Sequence, residues 1–94
     1  METKKKTYIV GAEHDGVWYI LHTNNKFYNY FGDGYVYVIH NPNFAKRKIH
    51  CISRKFRARF CIFDVTDIQE NHLDFSSDML GKMQDKIIFE KNNK

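Results

Sequence analysis

Three closely spaced turn signals divide the first forty residues into short runs of aromatic and β-branched side chains. The signals are His14-Asp15-Gly16, Asn24-Asn25 and Gly32-Asp33-Gly34. Glycine and asparagine tolerate the positive φ values that tight hairpin turns require, and the Tyr-, Phe-, Val- and Ile-rich runs between them favour strands. The pattern predicts an antiparallel β-meander that is centred on residues 17–40 and has strands at 7–13, 17–23, 26–31 and 35–40.

The length of each turn decides which side chains share a face of the sheet. Two residues are assigned to the loop at 24–25, and three each to the loops at 14–16 and 32–34. One face is then nearly all apolar and is predicted to form the core: Tyr8, Val10, Ala12, Trp18, Ile20, His22, Phe27, Asn29, Phe31, Tyr35, Tyr37 and Ile39. The other face is mixed and is predicted to be partly exposed: Thr7, Ile9, Gly11, Glu13, Val17, Tyr19, Leu21, Thr23, Lys26, Tyr28, Tyr30, Val36, Val38 and His40. A loop one residue longer or shorter would exchange the faces of every later strand.

The middle of the chain contains one ambiguous segment and one firmer strand. Residues 44–55 follow the sheet-breaking Asn41-Pro42-Asn43 and are predicted to form a loop and then a strand near 48–53, although Phe44, Lys48 and Ile52 would share one face of a helix. Residues 56–65 are predicted to form a strand with alternating faces, on which Phe56, Ala58, Phe60 and Ile62 oppose Arg57, Arg59, Cys61 and Phe63.

The last third of the chain is predicted to be helical. Thr66-Asp67-Ile68-Gln69 fits a capping box, and Ser76 or Ser77 can cap a helix whose apolar stripe is Met79, Leu80, Met83 and Ile87. Ile87-Ile88-Phe89 also fits a final strand, so the end of this helix is left open.

These elements predict an α+β fold, in which an antiparallel β-meander of five to six strands forms a curled sheet or half-open barrel with a C-terminal helix. At 94 residues the chain is predicted to be a single small domain, 1–94. Residues 1–6 are expected to be a flexible basic end, 7–65 the β-meander and 66–90 the helical C-terminal part.

The composition is typical of a folded protein, with 43% hydrophobic and 28% charged residues, and it excludes a disordered chain. No run approaches the ~20 apolar residues of a membrane span, and residues 8–12 are too few for the apolar part of a signal peptide. A cytoplasmic protein without a membrane partner is therefore expected, with Cys51 and Cys61 reduced. The abundance of Lys, Asn, Ile, Phe and Tyr suggests A/T-rich codons, as in a low-GC bacterium, its phages or plasmids, or an A/T-rich virus.

Positive charge is concentrated in one segment. Residues 1–43 are balanced, residues 44–63 carry seven Lys or Arg and no acid, and residues 64–94 carry four Lys against seven Asp or Glu. On a strand, Arg57 and Arg59 would project from one face about 7 Å apart, a spacing suited to phosphates. An alternative of equal weight is a solvated face whose cations pair with the acids of the C-terminal part. The predicted binding residues for nucleic acid or an anionic partner are Lys46, Arg47, Lys48, Arg54, Lys55, Arg57, Arg59 and Lys26.

Tyrosines on the predicted exposed face suggest a surface for stacking bases or for an interface. The candidates are Tyr19, Tyr28 and Tyr30, with His40 beside them. The slightly favoured alternative is that a helix or another chain covers this face.

The segment Lys26-Phe-Tyr-Asn-Tyr-Phe31, followed by residues 35–40, resembles the paired RNA-binding motifs of cold-shock domains over about fifteen residues. Tyr28 and Tyr30 match the first aromatic pair, and Tyr37 matches the next strand. The interleaved glycines are absent and the connecting loop is shorter, so the chain is not assigned to that family.

No catalytic, metal or cofactor site is predicted. Cys51 and Cys61 lack zinc-ligand spacing, and the chain has neither a glycine-rich phosphate loop nor a nucleophile elbow. His22 fits a hydrogen-bonded core histidine. A small nuclease that uses His40, His50 and an arginine is a minor alternative.

Two functions follow as hypotheses. The first is a small non-catalytic protein that binds RNA or single-stranded DNA, with the basic segment on phosphates and the sheet tyrosines on bases. The second is a phage- or mobile-element-type inhibitor that binds an acidic host or defence protein, or an anionic nucleotide signal, and that can form a homodimer through its tyrosine face.

Overall fold

The strands form one open antiparallel sheet in the computed structural model, which describes residues 6–29, 36–66 and 77–92. The strands are β1 (Tyr8–His14), β2 (Val17–Leu21), β3 (Phe27–Tyr28), β4 (Arg59–Asp64) and β5 (Ile87–Asn92), in the spatial order β3-β2-β1-β4-β5. The helices are α1 (Pro42–Ile52) and α2 (Ser77–Lys82), and a 3-10 turn spans Gln84–Lys86. The predicted antiparallel sheet is confirmed with five strands. The prediction placed the helix at the C-terminus, whereas the longest described helix, α1, lies in the middle of the chain and only the six-residue α2 lies in the C-terminal part.

The turn between β1 and β2 contains two residues. His14 pairs with Val17, and both Asp15 (φ 52°) and Gly16 (φ 80°) lie in the left-handed region, as a type I′ turn requires. The predicted three-residue loop at 14–16 is therefore one residue too long. As a result, every side chain of β2, including Trp18, lies on the face opposite to the one predicted.

The turn between β2 and β3 contains three residues instead of the predicted two. The Asn25 N–H donates to the His22 carbonyl (2.9 Å), and Asn25 has a φ of 65°. This arrangement is the three-residue hairpin, in which a left-handed residue follows a type I turn. Leu21 consequently pairs with Phe27 and not with Tyr28. The second error of one residue reverses the first, so β3 has the predicted orientation relative to β1.

Both faces of the sheet carry a buried core, although one face was predicted to be partly exposed. The cluster on the α1 side contains Tyr8, Val10, Ala12, Leu21, Ile39, Ala45, Ile49, Ala58, Phe60 and Ile62. The cluster on the α2 side contains Ile9, Ile20, Val36, Cys61, Phe63, Val65, Leu80 and Met83. Trp18 packs against the second cluster, whereas Phe27 and Tyr37 pack against the first, so the predicted core face is wrong for β2.

Residues 36–39 do not form the predicted fourth strand. The backbones of Tyr8 and Ile39 exchange two hydrogen bonds (2.7 and 2.8 Å), and the Tyr37 N–H donates to the Leu21 carbonyl (3.0 Å). These isolated bridges hold the segment against the start of β1 and the end of β2. In a simple meander β1 would be an edge strand. Here β4 pairs with the other edge of β1, so β1 lies in the middle of the sheet.

Residues 42–52 form α1, so the prediction of a loop and a strand near 48–53 is wrong. Asn41 caps the helix, because its Oδ1 accepts a hydrogen bond from the Asn43 N–H (2.9 Å), and Pro42 stands in the first turn, where it costs no hydrogen bond. Ala45 and Ile49 are completely buried against the sheet. The helix then leads through residues 53–58 into β4.

The C-terminal part, where it is described, contains a short helix, a 3-10 turn and a strand. α2 has six residues and buries Leu80, and the chain enters β5 at Ile87 after the 3-10 turn. The alternative prediction of a strand at 87–89 is therefore confirmed, and Phe89 pairs with Ile62. Residues 1–5, the turn at 32–34, most of the capping box at 66–69 and the cap at Ser76 lie outside the described residues.

Candidate functional site

A cavity of about 620 Å³ opens on the α1 side of the sheet, beside the β2–β3 turn. Six of its lining residues are apolar or aromatic: Ala12, Tyr19, Phe27, Phe56, Ala58 and Phe60. Five are polar or basic: His14, Asn25, Lys26, Lys55 and Arg57. None of the lining residues is acidic. The volume lies within the ~300–1,000 Å³ that is usual for sites that bind small molecules and cofactors.

The cavity exists because α1 covers only part of its side of the sheet. The helix ends at Ile52, and the chain returns to β4 along the edge of the cavity. Tyr19 and Phe27 are left half-buried, and Phe56 is 56% exposed, which is high for a phenylalanine. An aromatic surface is thus presented to water.

Three cations surround this aromatic surface. Lys26, Lys55 and Arg57 are all exposed, and within the described ranges none of them forms an ion pair with a carboxylate. A concave surface that is lined by charges of one sign concentrates counter-ions. The cavity therefore favours an anionic ligand that also offers a flat apolar face.

His14 joins the two sides of the cavity. Its Nδ1 donates to the carbonyl of Arg57 (3.0 Å), which fixes the loop before β4 against the end of β1. Its Nε2 lies 3.3 Å from Oδ2 of Asp15, a residue that does not line the cavity. His14 therefore helps to position Arg57 at the edge of the cavity.

The structure brings together four of the residues that the sequence indicated: Tyr19, Lys26, Lys55 and Arg57. Sequence reasoning missed the other members, above all His14, Asn25, Phe27 and Phe56. The signal for Phe56 was present in the chain, because it stands between two cations in the basic segment. The signal for Phe27 was not, because its position depends on the length of the β2–β3 turn.

Arg59 does not belong to this site. Its Nε donates to Oε1 of Glu90 (2.6 Å), and Nη2 forms an ion pair with the same oxygen (2.5 Å). Its Nη1 lies 3.8 Å from Oε1 of Glu13. The hydrogen bond that Arg59 donates to Glu90 raises the pKa of Arg59 above its usual value. Arg59 also lies over the Trp18 ring, 5.7 Å from its centroid, on the α2 side of the sheet. Arg59 thus follows the alternative prediction, in which cations of the basic segment pair with acids of the C-terminal part.

The other predicted cations lie on α1 or just after it and differ in their contacts. Lys46 Nζ lies 5.2 Å from the centroid of Phe89, and Arg54 donates to Nε2 of His50 (3.2 Å). Arg47 is exposed. These side chains give α1 a positive outer surface.

Lys48 has the most contacts of the cations on α1. Its Nζ donates to Oδ1 of Asn25 (3.0 Å) and lies 5.3 Å from the ring centroid of Tyr37 and 5.5 Å from that of Phe44. The two rings are 6.1 Å apart. Lys48 therefore connects an aromatic pair to the turn that lines the cavity.

The predicted tyrosine surface does not form as a unit. Tyr28 lies on the α2 side of the sheet, 4.6 Å from the ring of the buried His22, and its hydroxyl accepts a hydrogen bond from Asn24 (2.8 Å). Tyr19 lies on the opposite side, and Tyr30 is outside the described residues. His40 Nδ1 donates to the carbonyl of Lys6 (3.0 Å).

Comparison of the chain with protein families, with curated proteins and with solved structures gave no match. Across the described residues, no group of three or more His, Cys, Asp or Glu side chains is placed to hold a metal ion. The helices in the same ranges are all too short or too polar to cross a bilayer.

Proposed function

We propose that the protein binds single-stranded nucleic acid and that the cavity receives an unpaired base while Lys26, Lys55 and Arg57 hold the adjoining phosphates. The observation that carries the proposal is the composition of the cavity, which combines aromatic side chains with three cations and no acid among its lining residues. The class of protein is a small non-catalytic nucleic-acid-binding domain.

The aromatic side chains and the cations of the cavity support different parts of this proposal. Stacking on an aromatic side chain is worth ~1–3 kcal/mol per base and tolerates any sequence. Only an unpaired, unstacked base can enter a cavity lined by Tyr19, Phe27 and Phe56, because both faces of a base are covered in a duplex. Exposed lysine and arginine bind phosphates through charge, and this interaction weakens as salt rises.

The proposal is tested by fluorescence anisotropy with labelled oligo(dT) and oligo(U) at salt concentrations from about 50 to about 200 mM. We expect both strands to bind more tightly than a duplex hairpin. Lys55→Ala and Arg57→Ala should each weaken binding and reduce the salt slope by ~0.7, the value for one lost contact to a single strand. Lys82→Ala is the matched control, because Lys82 is an exposed cation on α2, on the other side of the sheet.

Two results would contradict the proposal. One is no measurable binding at the lowest salt, where phosphate contacts are strongest. The other is an equal loss of affinity in Lys82→Ala and Arg57→Ala, which would indicate attraction by net charge and no defined site.

One observation favours a second candidate function, the binding of an acidic protein. Phe56 is 56% exposed and is flanked by Lys55 and Arg57, and a large aromatic beside cations is typical of interface hot spots. Pull-down experiments with nuclease-treated protein distinguish the two functions. An acidic protein that is captured by the wild type and lost in Phe56→Ala, without any oligonucleotide binding, would favour this second function.

A further inference from the structure

The contacts of Lys48 define a second surface next to the cavity. Its ammonium group lies at similar distances from the adjacent Tyr37 and Phe44 rings, 5.3 and 5.5 Å from Nζ to the ring centroids, which are themselves 6.1 Å apart. The same ammonium group donates to Asn25, a residue that lines the cavity. The Phe44–Lys48–Tyr37 cluster is thus separated from the cavity by a single side chain.

Within this cluster Phe44 is exposed, whereas Tyr37 and Lys48 are half-buried. The helix is attached to the sheet by Ala45 and Ile49, which are completely buried, whereas Phe44 is 39% exposed. Across the described residues, Lys48 forms no ion pair with a carboxylate. An exposed aromatic face beside a cation that lacks an acidic partner offers a base and a phosphate the same contacts as the cavity does.

We propose that the Phe44–Lys48–Tyr37 cluster is a second nucleotide subsite, and that the ligand is an oligonucleotide spanning both subsites rather than a mononucleotide. This inference rests on the proposed function of the cavity. One base occupies the cavity, the next stacks on Phe44, and Lys48 contacts the phosphate between them. The hydrogen bond from Lys48 to Asn25 holds the two subsites in a fixed relation.

The inference is tested by measuring affinity against ligand length, with dTMP and with dT dinucleotide, tetranucleotide and octanucleotide. For the wild type, affinity should rise steeply from dTMP to the tetranucleotide and then level off. Phe44→Ala should weaken binding of the octanucleotide about tenfold, the loss of one stacked base, and leave dTMP binding unchanged. Lys48→Gln keeps a donor for Asn25 and removes the charge, so it should reduce the salt slope for the octanucleotide alone.

Ile88→Ala is the matched control for Phe44→Ala. Ile88 is 49% exposed on β5, an edge strand of the sheet, and is not among the residues that line the cavity. Urea denaturation of each variant shows whether its fold is retained, and affinities are compared at equal folded fractions.

The possible outcomes separate this inference from the proposed function. Loss of octanucleotide binding in Arg57→Ala but not in Phe44→Ala would leave the proposed function intact and overturn the second subsite. An equal loss for dTMP and the octanucleotide in Phe44→Ala would also overturn it, because Phe44 would then act on the cavity. Failure of the wild type to bind any of the four ligands would overturn both.

Discussion

Arg59 and Glu90 form a two-point contact across the β4–β5 pair, in which Nε of the guanidinium donates to Oε1 of the carboxylate (2.6 Å) and Nη2 lies 2.5 Å from the same oxygen. The side chain of Arg59 is 24% exposed and that of Glu90 is 42% exposed, so the pair is shielded from water only in part. The pair links β4 to β5 on the α2 side of the sheet, and it leaves Arg59, one of the seven cations of residues 44–63, outside the proposed binding surface.

The first prediction concerns this pair. Arg59→Ala should lower the free energy of unfolding by about 1 kcal/mol, because it removes a partly exposed charged hydrogen bond and the packing of the guanidinium on Trp18. Its effect on oligonucleotide affinity at low salt should be small. Arg57→Ala should behave in the opposite way, with weaker binding and almost unchanged stability. Urea denaturation measures the stability and fluorescence anisotropy measures the affinity. A larger loss of affinity in Arg59→Ala than in Arg57→Ala would contradict this prediction, because Arg59 would then contribute to binding.

The strands of this fold were predictable from sequence better than their faces were. Alternation and turn residues indicate β1 and β2 within one or two residues of their observed bounds. The Asp15-Gly16 pair favours a two-residue type I′ turn, so the observed loop length agrees with the local chemistry. The apolar pattern did not reveal the register, because α1 and α2 cover both faces of the sheet, and Ile20 and Leu21 are both buried although they point in opposite directions.

The candidate site was predictable in its charges and not in its geometry. Lys55 and Arg57 stand in an acid-free segment that is visible in the chain, but their position beside Lys26 depends on α1, which was predicted as a loop and a strand. The signal for α1 was available, because Asn41 and Pro42 are typical of a helix start. However, apolar residues also alternate after Lys48, which favours a strand. The segment is too short for this pattern to decide between a helix and a strand.

The second prediction concerns two glycines near α2. A Cβ added at Gly11 would lie 2.6 Å from Leu80 Cδ1 and 2.9 Å from Phe63 Cε2, and both of these side chains are completely buried. Gly11→Ala should therefore destabilise the protein by about 1–3 kcal/mol, because α2 can no longer approach β1 closely. The comparison is Gly81→Ala, whose Cβ would meet only Trp18 at 3.7 Å.

Gly81→Ala should stabilise the protein by about 1 kcal/mol, since alanine is the better helix former and the space exists. Urea denaturation curves of both variants measure the difference. Equal effects of the two substitutions on the free energy of unfolding would contradict this prediction. They would show that the packing of α2 over Gly11 does not decide whether an added methyl group stabilises or destabilises the protein.

The third prediction concerns the two thiols. Burial raises the pKa of Cys61 to about 11, and the charges of Glu90 and Glu13 add to this effect, while Arg59 opposes it. Cys51 is exposed on α1. A chromogenic disulfide reagent at neutral pH should therefore titrate one thiol per folded chain, and Cys51→Ser should remove that reaction. Both thiols should react in denaturant.

The same shift predicts a loss of stability in alkali. Because the pKa of Cys61 is raised from 9.0 on folding, its contribution to stability is complete below that value and is lost as the pH rises through about 11. In Cys61→Ala this part of the alkaline transition should be absent. An unchanged alkaline profile in that variant would assign the transition to other groups.

The fourth prediction concerns acid stability and the turn that follows β4. Burial opposes ionisation of Asp64, but hydrogen bonds to its Oδ1 from the Thr66 hydroxyl (2.6 Å) and N–H (3.0 Å) outweigh it, and the pKa of Asp64 is lowered. The Thr66 hydroxyl also accepts a hydrogen bond from the Thr7 N–H (3.0 Å), which links this turn to the residue before β1. A lowered pKa means that Asp64 stabilises the fold above about pH 4 and that this contribution is lost as the pH falls through the folded value.

Asp64→Asn should therefore be less stable than the wild type at pH 7, and the difference should shrink steadily in acid. Thr66→Val keeps the shape of the side chain and removes the hydroxyl that Asp64 and Thr7 share, so its stability should depend less steeply on pH in the same acid range. Thermal or urea unfolding at a series of pH values from about 7 to about 2 measures both effects. Parallel curves for the wild type and Asp64→Asn would contradict this prediction, because the Asp64 carboxylate would then gain no stability from its hydrogen bonds to Thr66.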